Sequence, residues 1–228
     1  MSWIFPPSIA LSAGGWHCWL VQQCRVGENV CMRKTPHRKR VRHYEEPGTL
    51  HELTFSCYRR LPLLRNDFWR GMLSEAVDRA LEGHGFALVA FVYMPEHVHL
   101  LVWPRGGEYH IDRLLRAIKR PHSFRIKRLL EEAGSPLLRR LTVRQRPGVS
   151  TFRYWQEGPG YDRNLTERGA VVAAIDYLHA NPVRRGLVEA ALDWRWSSVR
   201  HYCQETLPAD PLLPKVHGLP AASDWEPA

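Results

Sequence analysis

The chain has 228 residues, 44% of them hydrophobic, enough to bury a core and too apolar for a wholly disordered segment. Its 32 Lys plus Arg against 23 Asp plus Glu give a net charge of +9, mostly from arginine, whose planar fork suits phosphate; a polyanion, nucleic acid first, is the expected partner. The five cysteines, an odd number without a Cys-x-x-Cys pair, exclude a zinc ribbon and a disulfide framework, and no apolar run is long enough to span a membrane.

Residues 1–48 are rich in Trp, Cys and Pro, lack periodicity, and close on a basic cluster from Arg33 to His43. They read as a basic N-terminal extension, either a phosphate-binding arm or a solvated appendage. The spacing of Cys18, Cys24 and Cys31 matches no zinc knuckle. The first 24 residues lack Lys and Arg, which argues against a secretory signal, so a cytoplasmic location is expected. A folded domain is predicted over 49–203, with 204–228 as a tail.

Within the domain, Leu50 to Tyr58 alternates as a first strand. Asn66 and Asp67 offer N-caps to a helix whose apolar residues run from Phe68 to Leu81 before Gly83 and Gly85. Phe86 to Tyr93 predicts a second strand, Met94-Pro95-Glu96 a turn, and His97 to Trp103 a third strand. A second helix begins near Ile111, with Arg113, Arg116, Lys119 and Arg120 on its basic side; Pro121 is expected to interrupt it. Arg116, Lys119 and Arg120 are candidate DNA contacts, ordinary solvation being the alternative. Residues 131–150 read mainly as loop and Thr151 to Gln156 as a fourth strand.

Strand, helix, strand, strand, helix, strand is the α+β, ferredoxin-like split βαβ order: an antiparallel sheet with helices on one face and the other face free. A further helix from near Thr166 carries Tyr177 and is expected to stop at Asn181-Pro182, which sets Tyr177 and Asn181 one turn apart on a shared face. Beyond it Arg184, Arg185, Trp196, Ser197 and Ser198 mix arginine, aromatic and hydroxyl groups, a composition suited to a DNA backbone and its bases and equally to a packed C-terminal segment.

In a strand, His97 and His99 project from one face while Val98, Leu100 and Val102 point to the other. Two imidazoles at fixed separation suit a divalent cation; spacing alone favours two polar residues on a wetted face.

Three strings change the balance: Met94-Pro95-Glu96-His97-Val98-His99, then Tyr177-Leu178-His179-Ala180-Asn181-Pro182-Val183, then Trp196-Ser197-Ser198. Together, over about residues 50 to 203, they resemble the REP-associated tyrosine transposases of the single-tyrosine HUH superfamily, named for a His, hydrophobic, His motif. The resemblance implies that His97, His99 and Asn181 bind Mg²⁺ or Mn²⁺ and that Tyr177 is the nucleophile, carried on a C-terminal helix. It implies cleavage and rejoining of single-stranded or hairpin DNA through a covalent 5′-phosphotyrosine, by a monomer or a homodimer. The alternative is a hairpin-DNA-binding protein on the same fold without strand transfer; a histidine-triad hydrolase would want a further His where Leu101 stands. Two departures from the family's pattern are Pro121 and the run Gly158-Pro159-Gly160. Glu96, opposite His97 by strand alternation, is expected to be a turn residue only.

Overall fold

Leu53 and Phe55 point to one side of the first strand, β1 (Leu50–Ser56), and Glu52 and Thr54 to the other, and that division runs through the whole sheet. The computed structural model describes residues 49–158, 160–203 and 210–220. The N-terminal extension, its cysteines and its basic cluster lie outside the described residues.

After β1 come α1 (Asp67–Gly83), β2 (Phe86–Tyr93) and β3 (His97–Pro104). Asn66 caps α1, its side chain accepting from the Trp69 amide at 3.1 Å, as expected of that residue type. Next are α2 (Ile111–Glu132), α3 (Pro136–Leu141), a hairpin of β4 (Thr142–Arg146) and β5 (Val149–Phe152), β6 (Tyr161–Leu165), α4 (Arg168–Arg184) and the short α5 (Val199–Cys203). The main sheet has the order β2-β3-β1-β6, all neighbours antiparallel, the expected split βαβ sheet.

Four local expectations are corrected. Pro121 sits inside a continuous α2, exposed on its outer side, while Ile118, His122, Ile126 and Leu130 keep a buried stripe at helical spacing. Packing along that stripe outweighs the one backbone bond proline removes. Residues 131–150 are not mainly loop: Ser135 caps α3, and the β4–β5 hairpin turns at Pro147-Gly148, where Gly148 has φ 75°. The strand expected at Thr151 to Gln156 is split: Thr151 and Phe152 pair with β4, Tyr154 to Gln156 make only a short antiparallel bridge just past the end of β1, and the fourth sheet strand is β6, whose polar sequence Tyr-Asp-Arg-Asn-Leu hides its role. α4 continues through Pro182 to Arg184, so Asn181 is internal to the helix rather than terminal.

A fifth correction concerns the layers. α1 and α2 cover one face, over Phe55, Phe91, Tyr93, Val98, Leu100 and Val102. The second face is not free: Val171, Ala174, Ile175 and Leu178 of α4 pack on Leu50, Val89, Val92, Leu101 and Leu165. Only the part of that face beyond α4 stays open. Residues 210–220, expected as part of a tail, also hold to the domain: the Lys215 amide donates to Asp78 at 2.9 Å and the His217 amide to the Leu88 carbonyl at 2.8 Å. No helix among the described residues is long and apolar enough to cross a membrane.

Candidate active site

The turn before β3 is fixed by its neighbours. The Cys57 amide donates to the Glu96 carbonyl at 2.8 Å, the Leu64 amide to the Pro95 carbonyl at 2.9 Å and the Met94 amide to the His97 carbonyl at 2.9 Å. His97 and His99 then emerge on the α4 side of the sheet, each 8% exposed, with their Nε2 atoms 3.0 Å apart. Thr54 of β1, paired in register with His99, sets its Oγ1 2.8 Å from His99 Nδ1.

Glu96 was expected to serve only the turn. Instead its Oε1 lies 3.2 Å from His97 Nδ1 and 2.8 Å from Arg185 Nη2. A carboxylate only accepts, so His97 carries its proton on Nδ1 and presents a bare Nε2. Alternation misled here because Glu96 precedes the strand, where alternation does not hold. Arg185 and His97 hold the Glu96 carboxyl below its ordinary range, against burial acting the other way.

Burial makes both imidazoles poor bases: the His97 pKa is lowered and that of His99 falls to about 3, with His97 adding to the effect. They are neutral at neutral pH, the form that binds metal. Arg60 contributes to the same depression, from a left-handed backbone (φ 53°) beside the equally strained Arg59 (φ 52°).

The donor set fits a divalent ion. A 3.0 Å gap is that of two nitrogens about 2.1 Å from a common centre, and both Nδ1 atoms are anchored by neighbours, as bound imidazoles require. Among the described residues no three His, Cys, Asp or Glu side chains converge, so a third ligand has to be of another kind. The carboxamide of Asn181, 8% exposed, is a candidate: its Nδ2 donates to the Tyr177 carbonyl at 3.0 Å, which leaves Oδ1 as the coordinating atom. No hydrogen bond joins it to either imidazole.

Tyr177 is 45% exposed and stands edge-on to His99, ring centroids 6.4 Å apart. Arg184 lies over the Tyr177 ring at 4.8 Å. Tyr177, His99, Thr54, Glu52, Tyr161 and Arg163 open onto one groove of about 520 Å³ beside α4. Of the expected site, this face gathers His97, His99, Tyr177, Arg184 and Arg185.

Six expected DNA contacts lie elsewhere. Arg116, Lys119 and Arg120 belong to α2, which packs on the opposite face of the sheet. Arg116 pairs with Asp112, and Lys119 points inward over the Phe55 ring at 4.8 Å, where burial lowers its pKa to about 8. Trp196, Ser197 and Ser198 are 3%, 1% and 2% exposed, too buried for DNA. Trp196 stacks on Tyr93 and meets the Arg70 guanidinium; the Ser198 hydroxyl takes the Phe91 amide at 2.9 Å and lies 2.8 Å from His179 Nε2. They clamp the segment before α5 onto the end of β2, a structural task for which the same residue types serve.

Residues 49–140 match the family model described as Transposase IS200 like. A Haemophilus influenzae protein named as a REP-associated tyrosine transposase is 26% identical over 125 residues, which make up 54% of this chain and 65% of that one. A solved structure described as a REP-associated tyrosine transposase bound to a REP hairpin superposes with a TM-score of 0.55 at 21% identity, covering 80% of this chain and 98% of that one. The first of the three strings falls within the residues that match the family model, and the fold is like that of the hairpin-bound structure.

Proposed function

We propose that the protein cleaves and rejoins single-stranded or hairpin DNA in a transposase-type reaction, with Tyr177 as the nucleophile. One observation carries this reading: a half-exposed tyrosine shares a groove with, and stands edge-on to, the buried, neutral His99, whose Nε2 meets that of His97. The hairpin-bound relative motivates the choice of substrate.

The Tyr177 hydroxyl attacks phosphorus in line. A P–Oη bond forms, the bond to the 3′ oxygen of the preceding nucleotide breaks, and that oxygen leaves as a free 3′-OH. The protein then holds the strand as a 5′-phosphotyrosine. A 3′-OH attacking the same phosphorus reverses the exchange and returns the phenol, so joining needs no ATP. His97, His99 and Asn181 would hold Mg²⁺ or Mn²⁺, whose contribution is neutralisation of charge on the phosphate oxygens. Arg184, over the Tyr177 ring, steadies the nucleophile and adds positive charge beside it, while Arg185 holds Glu96 and through it His97.

The test is a denaturing gel of purified protein incubated with hairpin DNA and Mn²⁺. A protein–DNA adduct is expected from wild type and none from Tyr177→Phe. An adduct from the Phe variant would refute the nucleophile, and undiminished cleavage by His97→Ala would refute the metal role. Hairpin binding without any adduct would leave the non-cutting binder as the better description.

A further inference from the structure

The floor of the groove holds a carboxylate that the chemistry above does not use. Glu52 lies mid-strand in β1 on the same face as Thr54, and is 6% exposed. Its charged partner is Arg163, its register mate on β6, at 3.5 Å, longer than a direct hydrogen bond. Burial raises the Glu52 carboxyl pKa and Arg163 offsets only part of that. A sheet floor of this kind is a costly place for an acid unless something in the groove answers it.

The surroundings suggest what answers it. Tyr161, 50% exposed, lines the groove, and Ala173 and Ala174 of α4 line it with short side chains that leave room. A flat aromatic with room opposite is a stacking platform for an unpaired base. A carboxylate supplies acceptors only, and the adjacent guanidinium supplies donors only. Among the bases, guanine alone carries two neighbouring N–H donors beside a carbonyl oxygen on its Watson–Crick edge. Adenine and cytosine set a ring acceptor next to their amino group, and thymine flanks its one N–H with carbonyls, so each turns a lone pair toward the acid.

We propose that this groove is a nucleobase pocket, in which Glu52 and Arg163 read the Watson–Crick edge of one unpaired guanine stacked on Tyr161, next to the phosphate that Tyr177 attacks. The proposal rests on the DNA-cleaving reading of the site, and its test is kept separate from cleavage.

The full-length Tyr177→Phe protein is titrated, by fluorescence anisotropy, with hairpins whose unpaired flank is all thymine apart from one guanine walked along it. One register should bind about tenfold more tightly than the all-thymine flank, the size of a bidentate base contact. Inosine in that register, lacking the 2-amino group, should lose most of the gain. Glu52→Gln should bring the guanine register to within about twofold of the all-thymine flank. No preferred register, or full retention of the preference by inosine or by Glu52→Gln, overturns the proposal and leaves Glu52 and Arg163 as a cross-strand pair. If Glu52→Gln does not fold, the inosine comparison on the unaltered pocket decides, with Tyr161→Ala, at an exposed position, expected to flatten the guanine preference. A clear preference with no adduct from wild type refutes the nucleophile alone.

Discussion

Along β3 one backbone serves two solvents. Val98, Leu100 and Val102 are sealed under α1 and α2, whereas His97 and His99, one residue away in each direction, meet Thr54, Glu96 and Tyr177 on a face that α4 covers only in part. On the dry face the His51 imidazole, fully buried, is bracketed by Asp162 and Tyr109, both at 3.0 Å. On the wet face carboxylates and guanidinium groups keep capacity for a ligand. Rigidity of the first face gives the second its fixed distances.

The sharpest division is expected from Tyr177→Phe. Removing one hydroxyl from a half-exposed ring should abolish the adduct, by about a thousandfold or more, while the melting temperature stays within about 1 °C. Leu100→Ala should do the reverse: a loss of about 2–5 kcal/mol in urea denaturation, with adduct yield per folded molecule maintained at low temperature.

Acid should strike both sides of the sheet. His122, on the inner side of α2, and His179, on α4, are buried with pKa values of about 4, against an ordinary 6.5. As pH falls below about 6.5 the unfolded chain takes up protons that the folded one refuses, so stability is full above that pH and declines until about pH 4. About 3 kcal/mol for each histidine is at stake, measurable as the difference between urea midpoints at pH 7 and pH 4.5.

Ser198→Ala should cost about 1–3 kcal/mol by orphaning the Phe91 amide and His179, without a selective loss of hairpin affinity, which would separate clamp from DNA contact. Smallest of all, Arg116→Ala should change stability by under about 0.5 kcal/mol and adduct yield by under about twofold, because it sits on the far side of the sheet. A large effect on DNA would mean that the substrate wraps around to α2.

Much of the frame was legible in the sequence, and for a physical reason. β1, β2, β3, α1 and the Asn66 cap all carry strong local signals: alternation, a helical stripe, a capping side chain. β6 was missed because an edge strand lining a groove is polar on that side and, through Asp162, on the other as well. The imidazole pair and Tyr177 stand out through the resemblance carried by the three strings, but their companions do not. Glu96 joins the site through a turn, and Thr54 through register with His99 across 45 residues, relations no local pattern encodes. Composition misassigned Trp196, Ser197 and Ser198, since aromatic and hydroxyl groups serve a clamp as readily as a nucleic acid.

Gly160 shows how far the floor of the groove depends on a residue with no chemistry of its own. It has φ +87°, and a methyl group there would sit 2.3 Å from the Thr54 carbonyl oxygen, the backbone of the residue that steadies His99. The chain therefore lays β6 flush against β1 at the one point where nothing can be wedged between them. A substitution at this seam would prise the outer plank of the floor away and slacken the mounting of His99, leaving every reactive group in the chain yet out of true with the rest.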